Sequence, residues 1–199
     1  HAAHEIGHTL GFAHNYAASA RGNTSVMDYP HPQIDFKGDQ MDFSHAYDTK
    51  IGDWDKVSVD FAYGAHQSPS ELNQVLDKAY EKGLRFITDA DARNPGGAHI
   101  YAHLWDNGTT IVDELKHLLA VRQKAIANFS VANIRPNETY SHLEDVFVPL
   151  YFLHRYQTEA VAKIIGGSEY NYAVRGGKEI VLSSAPLALQ IDALHAITN

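Results

Sequence analysis

A mainly α-helical fold with one short β-hairpin is predicted by three observations. Apolar residues recur at helical spacing in several separate segments. Most of those segments end at a glycine, where a helix can leave through a left-handed turn. The one clear period-two stretch surrounds a Gly-Gly pair, as a hairpin does.

Taken in order, Ala2 to Leu10 is predicted as the first helix, stopped at Gly11, and the neighbouring Ile6, Leu10 and Phe12 suit a buried helix. From Asn15 to Asp53 the chain is rich in Gly, Pro, Asp and His without periodicity and reads as loops. Residues 54–64 place Val57, Phe61 and Ala62 at helical spacing before Gly64. Ser70 is expected to cap the next helix, whose stripe is Leu72, Val75, Leu76 and Ala79 and whose stop is Gly83. Leu84 to Thr88 reads as a short strand, and residues 89–108 as a loop turning at Pro95-Gly96-Gly97. Thr109 to Phe129 is a long amphipathic helix carrying Ile111, Leu115, Leu118, Leu119, Val121, Ala125 and Ile126. A second spans Leu143 to Ile165, bent near Pro149 and ended by Gly166-Gly167, with His142 and His154 capping it or packing on it. YNYAVRGGKEIVLS is the hairpin, and Pro186 to Ile197 the last helix.

Composition excludes several function classes. The 24 acidic residues outnumber 16 basic ones, a net charge of −8 that argues against a nucleic-acid binder. With no cysteine, there is neither a disulfide framework nor a thiolate metal site. No apolar run reaches membrane-spanning length, and no signal peptide stands in the chain. Hydrophobic residues, 44% of 199, suffice for a core. Nothing in the pattern points to an oligomeric state.

The chemistry is concentrated in residues 4–14, HEIGHTLGFAH. His4 and His8 lie one turn apart, about 40° around the helix axis, so both imidazoles face one metal. Glu5 stands between them and reaches a water on that metal without being a ligand. Gly11 permits the left-handed turn that brings His14 back as a third nitrogen, leaving a fourth tetrahedral position open. Thirteen residues after His14, Met27 sits in TSVMDYP. His99 and His103 share the i, i+4 spacing with Asp106 nearby, but Gly96, Gly97 and Gly108 place them in a loop, where that spacing loses its meaning. Asp89, Asp91, Asp106 and Asn107 are oxygen ligands of the calcium kind, without EF-hand spacing.

The extended histidine motif followed by Met27 resembles the metzincin zinc peptidases. That resemblance implies one catalytic zinc on His4, His8 and His14, Glu5 as general base, and Met27 as the Met-turn floor. It implies that Tyr29 donates a hydrogen bond to the tetrahedral intermediate, as in astacin-like and serralysin-like enzymes. The substrate would be a peptide or protein. Asn15 departs from the Ser, Asp, Glu or Pro that follow the third histidine in better-known branches. Further runs, including IGDWDKVSVDFAYG, FITDADARNPGGAH and LEDVFVPLYFLHRYQTEAVAKIIGG, resemble a bacterial family of large secreted zinc-dependent peptidases.

The implied fold class is the C-terminal half of a zincin-like catalytic domain: active-site helix, Met-turn and C-terminal helix. A helical extension with a hairpin follows it. The expected division is 1–64 for the catalytic part, 65–184 for the extension and 185–199 for the start of a further segment. Because metzincins place a sheet before the zinc helix, the chain reads as a fragment beginning at that helix, expected to hold zinc weakly or not at all and to lack activity alone. The resemblance further implies a secreted, periplasmic or cell-envelope location. The competing reading is a non-catalytic helical interaction module with a vestigial zinc site. An intact Glu5 argues for the enzyme.

Overall fold

Helices form where apolar residues recur at helical spacing, and the rest of the chain is shaped by buried polar contacts. The computed structural model describes residues 1–94, 96–179 and 181–198. In chain order the helices are α1 (Ala2–Thr9), α2 (Asp53–Tyr63), α3 (Pro69–Glu81), α4 (Asp89–Ala92), α5 (Ile111–Ala127), α6 (Leu143–Tyr151), α7 (Arg155–Ala162) and α8 (Leu187–Thr198). Two antiparallel pairs accompany them: β1 (Asp35–Lys37) with β2 (Gln40–Asp42), and β3 (Ser168–Tyr170) with β4 (Leu182–Ser184). The protein is mainly helical with short hairpins, as its periodicity requires.

The larger core is helical. α5 buries Ile111, Val112, Leu115, Leu118 and Val121, one face at helical spacing. Ile111, Val112 and Leu115 meet Ala160 and Val161 of α7, Ala193 of α8, and Ile100, Ile164 and Ala185. Buried Gln157 on α7 ties this core to the preceding loop: its Nε2 donates to the Asn107 and Ile111 carbonyls, and its Oε1 accepts from the Asn107 amide.

A second, smaller core gathers around Tyr16, Ala17, Ile87, Ala92 and Ala102, flanked by Tyr29, Leu104 and Tyr170. Apart from Ala92 in α4 and Tyr170 in β3, these residues come from loops. Asn15 holds it together, donating from Nδ2 to the Arg85 carbonyl at 2.8 Å and accepting the Ala17 and Ile87 amides on Oδ1.

Several expectations are corrected. α1 is not a buried helix: Ile6 is 58% and Leu10 41% exposed, and its buried residues are His4 and Gly7. Phe12, with Val57 and Phe61 of α2, lines an apolar cavity of about 470 Å³ rather than a close-packed core. Ser68, not Ser70, caps α3, accepting the Glu71 amide with Pro69 in the first turn, where a missing N–H costs nothing.

Leu84 to Thr88 forms no strand, and its backbone is bonded to Asn15 and Tyr16 instead. Asp89 to Ala92, expected in a loop, forms one helical turn. The turn at Pro95 lies outside the described residues. The predicted helix from Leu143 to Ile165 is two helices, broken at residues 152–154 and not at Pro149, which sits inside α6. His142 and His154 occupy the N-cap positions of α6 and α7 without a capping side-chain bond. β1 and β2 arise in a stretch read as loop, while the predicted hairpin forms with its strands at the outer ends, Ser168 opposite Ser184.

Candidate metal centre

Three elements bring the motif histidines together. α1 carries His4 and His8 one turn apart. Gly11 adopts φ +87°, a conformation costly for any residue with a Cβ, and the chain reverses so that His14 returns to the same side. One nitrogen from each of His4, His8 and His14 lies within 4.8 Å of the others. Met27, buried beneath α1, packs so closely on Gly7 that a Cβ there would overlap its sulfur. A glycine between the two helical histidines is therefore what lets the methionine approach.

The hydrogen bonds decide which nitrogens face inward. Nδ1 of His4 lies 2.7 Å from the Val26 carbonyl and Nδ1 of His8 3.0 Å from the Phe12 carbonyl. Nδ1 of His14 lies 2.9 Å from Oδ2 of Asp89. All three partners accept only, so each Nδ1 carries a proton, and in the neutral ring this leaves the lone pair on Nε2. Nε2 of His4 and His8 are 3.1 Å apart, close to the roughly 3.3 Å separating two nitrogens on one tetrahedral zinc. Nε2 of His14 is buried with no hydrogen-bond partner. Burial, with help from the neighbouring His8 and His14, pushes the His4 pKa below the usual imidazole value, which keeps the ring neutral and able to bind a metal. Converging lone pairs with no proton between them repel each other unless a cation sits among them. The donor set fits zinc.

Around this triad, Tyr29 stacks its ring 4.6 Å from that of His4 and 5.0 Å from that of His14. The Glu5 side chain is 65% exposed, on the solvent side of α1. The Met-turn is held from below by buried Asp55 of α2, which accepts Ser25 Oγ at 2.6 Å, the Val26 amide at 2.9 Å and the Gly52 amide at 2.6 Å. Because the Val26 carbonyl orients His4, Asp55 also supports that ligand. Spacing alone offered no signal for this contact across 29 residues.

A second acidic pair lies behind the Met-turn. Burial pushes the Asp28 pKa up to about 7, although the Tyr29 and Ser19 amides both donate to it. Asp106 is fully buried, has no hydrogen-bond partner on either oxygen, and is raised well above the usual carboxylate range by burial and by Asp28.

The other candidates do not converge on a metal. His99 Nε2 donates to the Tyr170 carbonyl at 2.9 Å, and half-buried His103 stands 3.5 Å from Glu159. Asp91 accepts from the Tyr170 and Tyr172 hydroxyls, each at 2.6 Å. Among the described residues, His4, His8 and His14 form the one cluster of three or more potential metal-binding side chains.

No curated protein and no solved structure matches the chain. A family model described as Met-zincin matches residues 1–199, its whole length. Three histidines around one point, a methionine under the helix that carries two of them, and this match over the whole chain agree: the chain belongs to the Met-zincin family.

Proposed function

We propose that this chain carries the metal centre of a zinc-dependent endopeptidase, with His4, His8 and His14 as ligands and Glu5 as general base. The observation that carries the reading is the shared orientation of the three imidazoles, each anchored through Nδ1 with Nε2 turned inward. Zinc bound there supplies a Lewis acid and acidifies a water towards a pKa of ~7. Glu5, on the same helix and exposed, takes the proton as water attacks the peptide carbonyl and returns it to the leaving amine. The Tyr29 hydroxyl, on a ring packed over two of the ligands, donates to the developing oxyanion. The substrate is a peptide or protein, and the family resemblance favours a secreted or cell-envelope setting. No helix among the described residues is long and apolar enough to cross a membrane.

Glu5→Gln in the full-length protein should abolish casein cleavage while zinc stays near one per chain. Cleavage retained above a few per cent would remove Glu5 from the role of base. In the same assay, an unchanged kcat for Tyr29→Phe would return Tyr29 to a packing role.

A second reading, a non-catalytic interaction module, draws on the exposed apolar side chains of Val148, Tyr151 and Phe152 on and just after α6. Reproducible absence of zinc from the full-length protein would favour it.

A further inference from the structure

Of the three imidazoles, His14 alone is oriented by a carboxylate. The acceptors for His4 and His8 are carbonyls of the Met-turn and of the loop leaving α1. The acceptor for His14 is Asp89, 75 residues away at the start of α4, beyond the segment that holds the zinc motif and Met-turn. We propose that Asp89 is a positioning residue of the metal centre, and that zinc binding is thermodynamically coupled to the docking of residues 85–93. The inference rests on the zinc reading above.

Asp89 is itself held in place. Oδ1 accepts from the Tyr16 hydroxyl at 3.2 Å and pairs with Nε of Arg93 at 2.8 Å, while Oδ2 accepts Thr88 Oγ1 at 3.2 Å. Nε of Arg93 also donates to the Tyr16 hydroxyl at 2.8 Å, closing a ring of three side chains. Tyr16 is wholly buried, so this ring has little freedom to drift. A carboxylate acceptor makes the imidazole a better donor of electron density than a carbonyl does, and it lowers the net positive charge of a loaded site.

The backbone is tied to the same segment. Asn15 and Tyr16, the two residues after His14, bond to Arg85 and Ile87: Asn15 Nδ2 to the Arg85 carbonyl, the Ile87 amide to Asn15 Oδ1, and the Tyr16 amide to the Ile87 carbonyl at 2.8 Å. The third ligand is thus fixed at both ring and main chain by one stretch of the extension. Anything that binds only the docked arrangement stabilises it by mass action, so zinc and this segment favour each other. This also gives a physical role to Asn15, whose amide bonds both ways along the 85–87 backbone as Ser, Asp, Glu or Pro side chains do not.

The test uses the 199-residue chain and zinc itself. Zinc affinity is measured by competition with a chromophoric chelator, and amide hydrogen exchange at Tyr16 and Ile87 is followed with and without zinc. Asp89→Ala is expected to weaken zinc binding about 10–100-fold, with Asp89→Asn intermediate because an amide oxygen still accepts. In the parent chain zinc should slow exchange at both amides, and in Asp89→Ala that protection should largely disappear. Asp91→Asn is the control: it lies in the same helical turn and is bonded to Tyr170 and Tyr172 but touches no ligand, so a merely structural role predicts the same loss there. Affinity of Asp89→Ala and Asp89→Asn within about twofold of the parent, or an equal loss in Asp91→Asn, would overturn the proposal while leaving the zinc reading intact. A parent chain that takes up no zinc would overturn the proposal as well.

Discussion

The two cores of this protein are built in opposite ways. Around α5, α7 and α8, apolar side chains at helical spacing meet face to face, and the backbone is satisfied within the helices. Around Tyr16, Ile87 and Ala102, which lie under the metal centre, most of the backbone is irregular, and buried Asn15, Asp28 and Asp55 bond the main chain where no helix or sheet does. The helical core resists through area and packing density. The loop core resists through a small number of polar bonds, each with little redundancy, and in exchange it can place imidazoles at angles that no regular element provides.

Substitutions that strike one core at a time should separate these two behaviours. Leu115→Ala, at a residue 1% exposed in the middle of the helical core, should cost about 2–5 kcal/mol by lost burial and a residual cavity. Zinc affinity of the molecules that remain folded should be unchanged. Urea unfolding followed by chelator competition checks both, and a matching loss of zinc affinity would mean that the cores are not independent.

Asp55→Asn should do the reverse. Replacing one carboxylate oxygen by an NH₂ sets a donor against the Ser25, Val26 or Gly52 donors, at a cost of about 1–3 kcal/mol. Because Val26 orients His4, the larger consequence should be weaker zinc binding. Zinc titration alongside thermal unfolding decides it, and stability lost without any change in zinc affinity would detach Asp55 from the metal centre.

The smallest expected effect depends on pH. Asp28 and Asp106 have raised pKa values in the folded chain, so folding takes up protons at this pair. The stability this contributes is full below an unfolded carboxylate pKa of about 3.9 and is lost as pH rises through about 7. Asp106→Asn keeps the neutral shape at every pH. Its Tm should match the parent near pH 3 and exceed it at pH 8. Equal lowering of Tm at both values would show that the Asp106 carboxylate, and not its protonated form, is what the fold requires.

The same contrast explains which parts of the molecule were legible in advance. The α5 stripe, the α2 and α8 helices and the Gly-Gly hairpin follow from local periodicity and turn chemistry, which a linear reading sees directly. The break after α6 was misplaced because Pro149 looked like the stronger signal; it falls in a helix that accommodates it, and the chain turns at residues 152–154 instead. Leu84 to Thr88 has strand composition, but its backbone partners are Asn15 and Tyr16, some 70 residues earlier, and no local pattern records that.

At the candidate metal centre, the sequence by itself determined that His4, His8 and His14 come together, because helical pitch and one glycine turn suffice to relate them. Only the tertiary structure decided what holds those ligands. The Val26 carbonyl and Asp89 reach the rings across 22 and 75 residues, and Asp55 holds Val26 across 29, through contacts set by how loops pack and not by any spacing in the chain. The histidine motif is local because two of its rings share a helix and the third follows one glycine turn. Their orientation is non-local, since a buried imidazole takes its Nδ1 acceptor from whichever backbone or carboxylate the fold brings against it.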